Sequence, residues 1–557
     1  MQLDIVLRGG TLVDGTGAPG RPGDLGIRDG RIVALGSFEG AAREEIDASG
    51  CVVAPGFIDA HTHYDAQVFW DGMLTVSPWH GVTSVVMGNC GFGIAPTRPE
   101  HRQLMLRTLE NVEGMSLDAL NAGLGEEWPF ESFPEYLDAL ESHGTALNVG
   151  VLIGHTPVRT FVMGEEAVAR EATPDEIAQQ KEIVREAMQA GALGFATSKA
   201  MTHIGYDGNP VPSRAASGEE ILELAGVLTD LDHGVVQATT GRGLTTPEFA
   251  ELARRTGKPV MWTALVPGFT HKPVDEILRD HEKLHAEGLR VIPQVTPRPL
   301  SFEFQFKAPF PFEPLALMKP VSKADFAGKK KIYADPEFRA ALRERVDNRW
   351  PGRRFYEMAI SSYPPDPSLD ERPLGEVAEE RGLHPVDLAL DLSLETELEA
   401  RFRLAVANHD EEAVGGLLRH PGVMLGLSDA GAHASQLCDA GQPSTLLGKW
   451  VREKQHLSVE EAVRRLTSEP AEIFGIRERG RLAEGLAADV TVFDLDRVAA
   501  LGVRRVYDLP GGADRLVEDA VGYRAVIVNG VPIRRDDADT PAAATARPGR
   551  VLRGGRA

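Results

Sequence analysis

The chain has 557 residues, of which 42% are hydrophobic and 25% charged, and its formal net charge is -23. These proportions are typical of a globular protein, and the length predicts one domain of roughly 250 residues or more together with a smaller unit. The negative charge argues against a nucleic-acid backbone or an anionic membrane as partner, because either would attract a basic face.

Targeting features and cysteine usage predict a cytoplasmic protein. The first residues lack the basic start, apolar centre and small-residue cleavage site of a secretory signal, and no apolar run approaches the ~20 residues of a spanning helix. Cys51, Cys90 and Cys438 are too few for a disulfide framework in so long a chain. We therefore expect each thiol to be free.

Both ends of the chain have the short alternating runs and glycine turns of β-strands. Leu3, Ile5 and Leu7 alternate near the start, and Asn529-Gly530 is a hairpin signal near the end. Neither end can bury a face alone, so residues 1–53 and 476–535 are predicted to form one small β-sandwich. The Ala-, Arg- and Gly-rich segment 536–557 is predicted to be a mobile tail.

Between the two ends, apolar runs alternate with helical segments, which predicts βα units around a parallel sheet. Eight runs are present: 53–60, 83–90, 146–155, 192–198, 234–240, 260–265, 290–295 and 423–429. Eight is the strand number of a (β/α)₈ barrel, so residues 54–475 are predicted to form one. Thr173-Pro-Asp-Glu176 and Ser217-Gly-Glu-Glu220 are capping boxes that start two of its helices.

The gap between the seventh and eighth runs is far longer than a βα loop. Its early part has five phenylalanines among prolines: Phe302, Phe304, Phe306, Phe310 and Phe312. This insertion, at about residues 300–400, is either a lid or aromatic wall over the site or an inserted subdomain with its own core.

The ends of the predicted strands offer metal ligands. His61 and His63 follow the first run, and on an extended strand both side chains leave on the same face and can bind one ion. The second run ends on Cys90 and the eighth on Asp429. In a barrel the carboxyl ends of the strands lie together, and imidazole, thiolate and carboxylate are ligands that a zinc-like ion accepts.

Each candidate also has a simpler explanation. Cys90 could be a small buried hydrophobe, and Asp429 could cap a turn in Ser-Asp-Ala-Gly. His155, at the end of the third run, is expected to hold a loop or touch substrate rather than bind metal. We keep His155, His203 and His433 as candidate substrate contacts. The joint occurrence of ligands at successive strand ends favours the metal site.

Three longer motifs point to a family. They are Pro55-Gly-Phe-Ile-Asp-Ala-His-Thr-His63, Asp429 after the last run, and a closing stretch between Pro470 and Val490. Together they resemble the amidohydrolase superfamily over nearly the whole chain. The resemblance implies a metal-dependent hydrolase of carbon–nitrogen bonds other than peptide bonds.

A narrower resemblance comes from Gly88-Asn-Cys-Gly91 and from residues 191–198 and 211–214. These stretches are similar to the N-acyl-D-amino-acid deacylase (D-aminoacylase) branch, in which this cysteine replaces the usual carboxylated lysine as a metal ligand. The resemblance implies attack of metal-activated water on an amide carbonyl, with Asp429 as general base and then acid.

The match departs from this branch after the fifth and sixth runs. There the deacylases have Thr-His-x-Arg and Ser-His, and those histidines complete a second metal site. This chain has Thr240 and Ala264 instead, which are a poor ligand and no ligand, and His271 lies several residues further on. We therefore expect one divalent ion, zinc, per chain. The ligands expected for this ion are His61, His63 and Asp429, with Cys90 as a fourth ligand or near neighbour.

The substrate of such an enzyme has a carboxylate beside the amide, which favours an arginine as partner. Arg242 is our first candidate, with Arg214 and Lys199 behind it, although all three could be surface salt-bridge partners. His203 and Tyr206 follow the fourth run and either contact the acyl or leaving group or serve packing.

Two further functions stay open. One is hydrolysis of a different amide, a cyclic amide or an ester by a one-metal site. The other is a barrel that has lost turnover and serves as a binding protein, because four protein ligands would leave a tetrahedral ion no place for water. We expect a small-molecule substrate and leave open whether the chain forms a homo-oligomer.

Overall fold

A computed structural model of the chain describes residues 2–270 and 272–557. Strands from both ends of the chain lie in one nine-stranded sheet, with the order β22-β21-β20-β17-β5-β1-β2-β3 and β4 paired with β1. The strands of this terminal sheet are β1 (Gln2–Leu12), β2 (Arg21–Arg28), β3 (Arg31–Gly36), β4 (Ala41–Asp47), β5 (Val52–Pro55), β17 (Val490–Phe493), β20 (Tyr523–Val528), β21 (Val531–Arg535) and β22 (Ala538–Asp539). The predicted pairing of the two ends is thus present, because β5 lies between β1 and β17.

A second sheet has eight parallel strands that follow one another in chain order. They are β6 (Phe57–Asp59), β7 (Val82–Met87), β8 (Asn148–Gly154), β9 (Gly194–Ser198), β10 (Val235–Thr239), β11 (Val260–Thr263), β12 (Val291–Val295) and β16 (Met424–Leu425). Its two edges meet just beyond β6 and β16, where Thr62 pairs with Ala430 in a parallel bridge. The sheet therefore curls back on itself, and the carboxyl ends of its strands gather at one end.

The first predicted barrel strand is divided between the two sheets. Val52–Pro55 pairs with the terminal sheet, whereas Phe57–Asp59 starts the eight-stranded one. Gly56 marks the junction, and a Cβ there would lie 2.1 Å from the Thr83 Oγ1 atom. A glycine is required because the chain passes so close to β7 as it changes sheets.

Helices surround the eight-stranded sheet. They are α1 (Arg102–Glu113), α2 (Leu117–Leu124), α3 (Phe133–His143), α4 (His155–Met163), α5 (Pro174–Ala190), α6 (Pro212–Ala215), α7 (Gly218–Gly226), α8 (Thr246–Thr256), α9 (Val274–Ala286), α16 (Glu411–Arg419), α17 (Gln442–Thr445), α18 (Val459–Leu466) and α19 (Ser468–Phe474), with a π-helix at Leu446–Glu453. A further helix, α20 (Pro541–Ala546), packs against β21 of the terminal sheet. The capping box at Thr173 is present in full. At Ser217 only the side-chain cap forms, because the Glu220 carboxylate is turned towards His155 and Arg159. No helix among the described residues is long and apolar enough to cross a lipid bilayer.

The insertion after β12 has its own core. Its elements are β13 (Leu300–Gln305), β14 (Ala359–Ser362), β15 (Arg401–Ala407), α10 (Lys319–Lys323), α11 (Phe326–Ala334), α12 (Pro336–Asn348), α13 (Arg353–Glu357), α14 (Leu374–Glu380) and α15 (Pro385–Glu395). Phe304, Phe306 and Phe312 are buried in this core, which supports the subdomain rather than the aromatic wall. Phe302 is the exception, since its ring lies 5.9 Å from that of His433.

The segment 536–557, predicted to be a mobile tail, packs against the eight-stranded sheet. The Val149 and Leu552 N–H groups donate to the Arg550 and Val149 carbonyls at 2.9 and 2.8 Å. Leu552 is 1% exposed and joins the apolar cluster inside the curled sheet. Composition alone misled the prediction, because it does not show that Leu552 is buried or that Arg553 pairs with Asp138 and Glu141 of α3.

A hairpin, β18 (Ala499–Leu509) and β19 (Ala513–Val521), extends from the terminal sheet to the helical layer. Buried His80 fixes it there, because its Nε2–H donates to the Glu518 carbonyl at 3.0 Å and its Nδ1 accepts from the Ser444 hydroxyl at 2.7 Å. Burial, as the main cause, lowers the pKa of His80 to about 4.

His80 should make stability fall in acid. Below its usual pKa of 6.5 the unfolded chain binds a proton that the folded protein accepts only near pH 4. The free energy of unfolding should therefore decrease by about 3 kcal/mol from this group between pH 6.5 and 4. Thermal unfolding of His80→Gln, which cannot titrate, should show a shallower loss of Tm over that range. Equal slopes for the two proteins would refute the assignment.

Candidate metal centre

His61 and His63 lie just beyond β6, where the first and last strands of the curled sheet meet. The Thr62 N–H and hydroxyl both bond to the Val86 carbonyl, at 3.0 and 2.8 Å, and the His63 N–H donates to the Ala430 carbonyl at 2.8 Å. Both imidazoles are buried, and their ring centres are 5.2 Å apart. The main chain thus holds the two rings side by side, as predicted from their spacing.

Cys90 is aimed at the histidines by a glycine turn. Gly88 has a φ of 79°, and a Cβ there would lie 2.2 Å from the Leu152 carbonyl oxygen. The turn places the Cys90 Sγ 3.4 Å from the His61 Nε2, while the Cys90 N–H donates to the Gln237 Oε1 at 2.7 Å. A side chain at Gly88 would therefore displace the thiol.

Asp429 closes the group from the opposite side. Its Oδ1 lies 3.2 Å from the His61 Nε2 and 3.7 Å from the His63 Nε2. The loop that carries it is strained, since Leu427, Asp429 and His433 have φ values of 65°, 43° and 50°. The Asp429 side chain is 18% exposed, against 0% and 5% for the two histidines. Of these three side chains, Asp429 is therefore the one most open to solvent.

The spacing of these atoms fits a tetrahedral metal ion. One ligand atom each from His61, His63 and Cys90 lies within 4.8 Å of the other two. Zinc bonds of ~2.0 Å to nitrogen and ~2.3 Å to sulfur require neighbouring ligands to be roughly 3.3–3.6 Å apart. The His61–Cys90 and His61–Asp429 distances of 3.4 and 3.2 Å are close to these edges. The donors present therefore suit a divalent ion.

Three further buried carboxyl groups surround the histidines. Asp59 accepts the Ser428 hydroxyl at 2.8 Å, and Asp65 accepts the Gly88 N–H at 3.3 Å. The Glu113 Oε1 lies 3.2 Å from the His63 Nδ1. Burial raises the pKa of Asp59 and of Asp65 to about 6. At neutral pH the centre concentrates negative charge, which favours a bound cation.

The donor groups also shift one another's protonation. Burial raises the pKa of Cys90, but His61 and His63 outweigh it and lower it to about 7. Burial lowers the pKa of His63, but Glu113, Asp429 and Cys90 outweigh it and hold it well above its usual value. Burial likewise opposes the histidines at Asp429, whose pKa ends well below its usual value. Groups that compete for protons in this way can release them when a metal ion binds in their place.

A neutral hydrogen-bond chain lies behind the metal ligands. The His61 Nδ1–H donates to the Gln294 Oε1 at 2.7 Å, and the Thr263 hydroxyl donates to the same oxygen at 2.5 Å. The Gln237 amide in turn donates to the Thr263 hydroxyl at 3.1 Å and accepts the Cys90 N–H. This chain directs the His61 Nε2 lone pair towards Cys90 and Asp429.

The two positions predicted to lack second-site histidines adjoin this chain. Thr240 follows β10, and its hydroxyl donates to the Leu244 carbonyl at 3.2 Å. Ala264 follows β11 and packs against the apolar cluster of Val266 and Leu427. His271, the possible substitute, lies outside the described residues.

His203 and His433 lie beside the centre, where the sequence predicts substrate contacts. The His203 Nδ1 lies 2.7 Å from the Ser198 hydroxyl, and its ring packs 5.0 Å from Phe92, which also contacts His63. Burial, then the neighbouring histidines, lowers the pKa of His203 to about 3. His433 follows Asp429 on the strained loop, and burial lowers its pKa. Both rings are therefore neutral groups beside the centre.

The basic side chains that are predicted to bind the substrate carboxylate either donate hydrogen bonds to backbone carbonyls or are exposed. The Lys199 ammonium donates to the Arg214 and Ala216 carbonyls, and the Arg214 guanidinium donates to the His203 carbonyl at 3.0 Å. Both side chains thus hold the loop after β9. Arg242 is exposed on the turn after β10. Tyr206 lies on the loop after β9, with the Arg107 guanidinium over its ring.

The structure does not bring His155 into the centre. Its Nδ1 lies 2.8 Å from the Thr197 hydroxyl, and its Nε2 lies 3.0 Å from Glu220, which also pairs with Arg159. The ring packs on Phe195, whose side chain belongs to the core outside the curled sheet. His155 therefore supports the helical layer and does not face the substrate.

Comparison with known proteins decides the family. The amidohydrolase family profile matches residues 44–289 and 337–534, which is well over half of the chain. The chain belongs to the amidohydrolase family. As the sequence analysis predicts, this amidohydrolase is a metal-dependent hydrolase of non-peptide carbon–nitrogen bonds, and its similarity is to the deacylase branch.

The similarity extends over the full length of characterised amidohydrolases. D-aminoacylase of Alcaligenes xylosoxydans xylosoxydans is 30% identical over 547 residues, which are 97% of this chain and 96% of that protein. N-acyl-D-glutamate deacylase of Bordetella bronchiseptica, solved with zinc and a phosphonate inhibitor, has a TM-score of 0.67 and 28% identity over 99% of this chain and 100% of that one. A D-aminoacylase structure concerned with its binuclear metal centre has the same TM-score and identity, over 99% of both chains.

Several residues of the amidohydrolase centre escaped the sequence analysis. Gln237 and Gln294 were visible as single amides inside apolar strands, Val-Val-Gln-Ala-Thr and Val-Ile-Pro-Gln-Val, which is a signal for a buried polar role. Glu113 had no such signal, because it ends an ordinary amphipathic helix. Only the tertiary structure brings it to His63.

His155→Gln separates the two possible roles of His155. Loss of its aligned bonds to Thr197 and Glu220 should cost about 2 kcal/mol of stability. Zinc content should stay as in the wild type, whereas the control His61→Gln should lose the ion. Calorimetry and metal analysis of both variants make the test, and loss of zinc from the His155 variant would contradict the structure.

Proposed function

We propose that the chain is an N-acyl-D-amino-acid deacylase that works with one zinc ion. The observation that carries this proposal is the group of His61, His63 and Cys90 with Asp429 on its solvent side. The activities named for its full-length relatives, D-aminoacylase and N-acyl-D-glutamate deacylase, support the choice of substrate. His61, His63, Cys90 and Asp429 are the proposed ligands.

The geometry supports a site in which three residues are ligands and Asp429 leaves a position for water. Asp429 is not among the three residues whose ligand atoms lie within 4.8 Å of one another. His61, His63 and Cys90 are therefore the firm ligands, and Asp429 borders the side that is open to solvent. We propose that water and the scissile carbonyl approach from that side.

Asp429 carries the proton transfers. A zinc ion here supplies Lewis acidity, which polarises a carbonyl and lowers the pKa of a nearby water. Asp429 takes the proton from the attacking water and delivers it to the leaving nitrogen, as general base and then general acid. Burial raises the pKa of Asp429, but the histidines outweigh it and lower that pKa, so the carboxylate is ionised before the water attacks.

A single metal suits the neutral chain of Gln237, Thr263 and Gln294. Amide and hydroxyl groups that bond to one another offer a second zinc ion no negative charge and are poor ligands for it. The related D-aminoacylase structure is described in terms of one-metal activation and second-metal attenuation. One ion is thus compatible with turnover in this family.

For the substrate we propose Arg242 as the partner of the carboxylate, with His203, His433 and Tyr206 beside the acyl and leaving groups. Arg242 is exposed on the turn after β10, whereas the Lys199 ammonium donates hydrogen bonds to backbone carbonyls. That bonding also favours a second candidate function, hydrolysis of an amide, cyclic amide or ester without a carboxylate. The apolar cluster of Val266 and Leu427 beside Ala264 suits such a substrate.

Architecture and setting complete the proposal. We infer that the curled sheet is a (β/α)₈ barrel over residues 54–475 and that residues 1–53 and 476–535 form a β-sandwich domain. The three buried cysteines are free, which suits a reducing compartment such as the cytoplasm.

A panel of N-acetyl amino acids in D and L forms tests the substrate class. Release of acetate should be selective for D forms, because the relatives are named for D substrates. An Arg242→Gln variant should raise KM for carboxylate substrates more than it lowers kcat. Turnover of neutral amides alone, with no D-selective release, would favour the second candidate.

Asp429→Asn tests the proton transfers. An amide cannot accept the proton of water, so kcat should fall by about 10³-fold. The three firm ligands remain, so zinc analysis should still find the ion. Turnover at the wild-type rate would show that another residue acts as the base.

A further inference from the structure

Glu113 is a buried acid in an unfavourable place. It is the last residue of α1, and a carboxylate at the C-terminal end of a helix opposes the helix dipole. Its side chain is only 4% exposed, so its charge is also removed from water. Buried charges persist when a partner compensates them. Glu113 therefore needs a compensating cation nearby.

His63 supplies the contact. The Glu113 Oε1 lies 3.2 Å from the His63 Nδ1, on the side of the ring opposite the Nε2 that faces Asp429. The two groups are at ion-pair distance, and no aligned hydrogen bond satisfies the Nδ1 in this structure. Within the described residues, His63 is the one basic side chain at ion-pair distance from Glu113.

Hydrogen bonds to the main chain fix the position of the end of α1. The Ala434 N–H donates to the Glu113 carbonyl at 2.9 Å, and the Ser435 hydroxyl donates to the Gly114 carbonyl at 3.1 Å. The end of α1 is thus attached to the loop that carries Asp429. These backbone bonds do not need the carboxylate, so its position beside His63 calls for a separate explanation.

We propose that Glu113 is a positioning residue for the metal centre, whose carboxylate accepts the Nδ1–H of His63 and fixes its Nε2 as a zinc ligand. This inference rests on the proposed metal site. A carboxylate behind a ligating histidine sets its tautomer and orientation and makes it a stronger donor. His61 has a neutral acceptor in the same role, Gln294. The two ligands therefore differ in strength.

The test measures zinc affinity of metal-free protein by competition with a chromophoric chelator. Glu113→Gln keeps the shape of the side chain but loses its charge, and Glu113→Ala loses both charge and acceptor. The dissociation constant should rise about 10-fold for Gln and up to about 100-fold for Ala. Glu110→Gln is the matched control, because Glu110 lies on the same helix and bonds only to the Leu117 N–H. Its affinity should equal that of the wild type.

A double-variant comparison shows whether Glu113 acts through His63. In the His63→Ala background, Glu113→Gln should have no further effect on affinity. Cobalt-loaded Glu113→Gln should keep its thiolate charge-transfer band and show a shifted d–d spectrum, which a remote loss of stability would not produce. Additive effects of the two substitutions would overturn the inference.

The outcomes separate this inference from the proposed function. If His63→Ala weakens zinc binding while both Glu113 variants bind within twofold of the wild type, only the role of Glu113 is refuted. If His63→Ala binds zinc as tightly as the wild type, the proposed metal site itself is refuted.

Discussion

The pairing of Thr62 with Ala430 is the contact on which the centre depends. It joins the first strand of the curled sheet to the segment after the last one. His61 and His63 come from one side of this junction and Asp429 from the other. Residues more than 360 positions apart in sequence thus meet within 3.2 Å because the sheet curls until its edges touch. A flat sheet of the same strands would leave the ligands at opposite edges.

The two histidines are not equivalent. His61 is oriented by Gln294 through a neutral chain that ends at the Cys90 N–H, whereas His63 is oriented by a buried carboxylate. The neutral chain also occupies the side on which the missing second-site histidines would stand. We propose that this neutral chain orients His61 as a ligand and that Thr240 and Ala264, in place of the second-site histidines, leave the centre with one ion.

The sequence predicted that the proposed ligands lie close together, because parallel strands have their carboxyl ends at one end of the sheet. Counting strands therefore placed His61, His63, Cys90 and Asp429 near one another without any knowledge of distances. The same reasoning misplaced His155, because it does not say whether a residue at a strand end turns inwards or outwards. Glu113 could not be found in this way, since it lies on a helix and reaches the centre only through the packing of α1 against the Asp429 loop. The anchored tail was missed because composition does not show which partners lie beside it, namely α3 for the Arg553 ion pairs and the sheet for buried Leu552.

The number of bound zinc ions distinguishes a one-metal centre from a binuclear one. Crystals grown with zinc, measured above and below the zinc absorption edge, locate each ion from its anomalous signal. A one-metal centre gives one peak, bounded by His61, His63, Cys90 and Asp429. A second peak of similar height between Cys90 and the Gln237–Thr263 pair would contradict a one-metal centre, because apart from the Cys90 thiol that position has only neutral amide and hydroxyl groups to hold an ion.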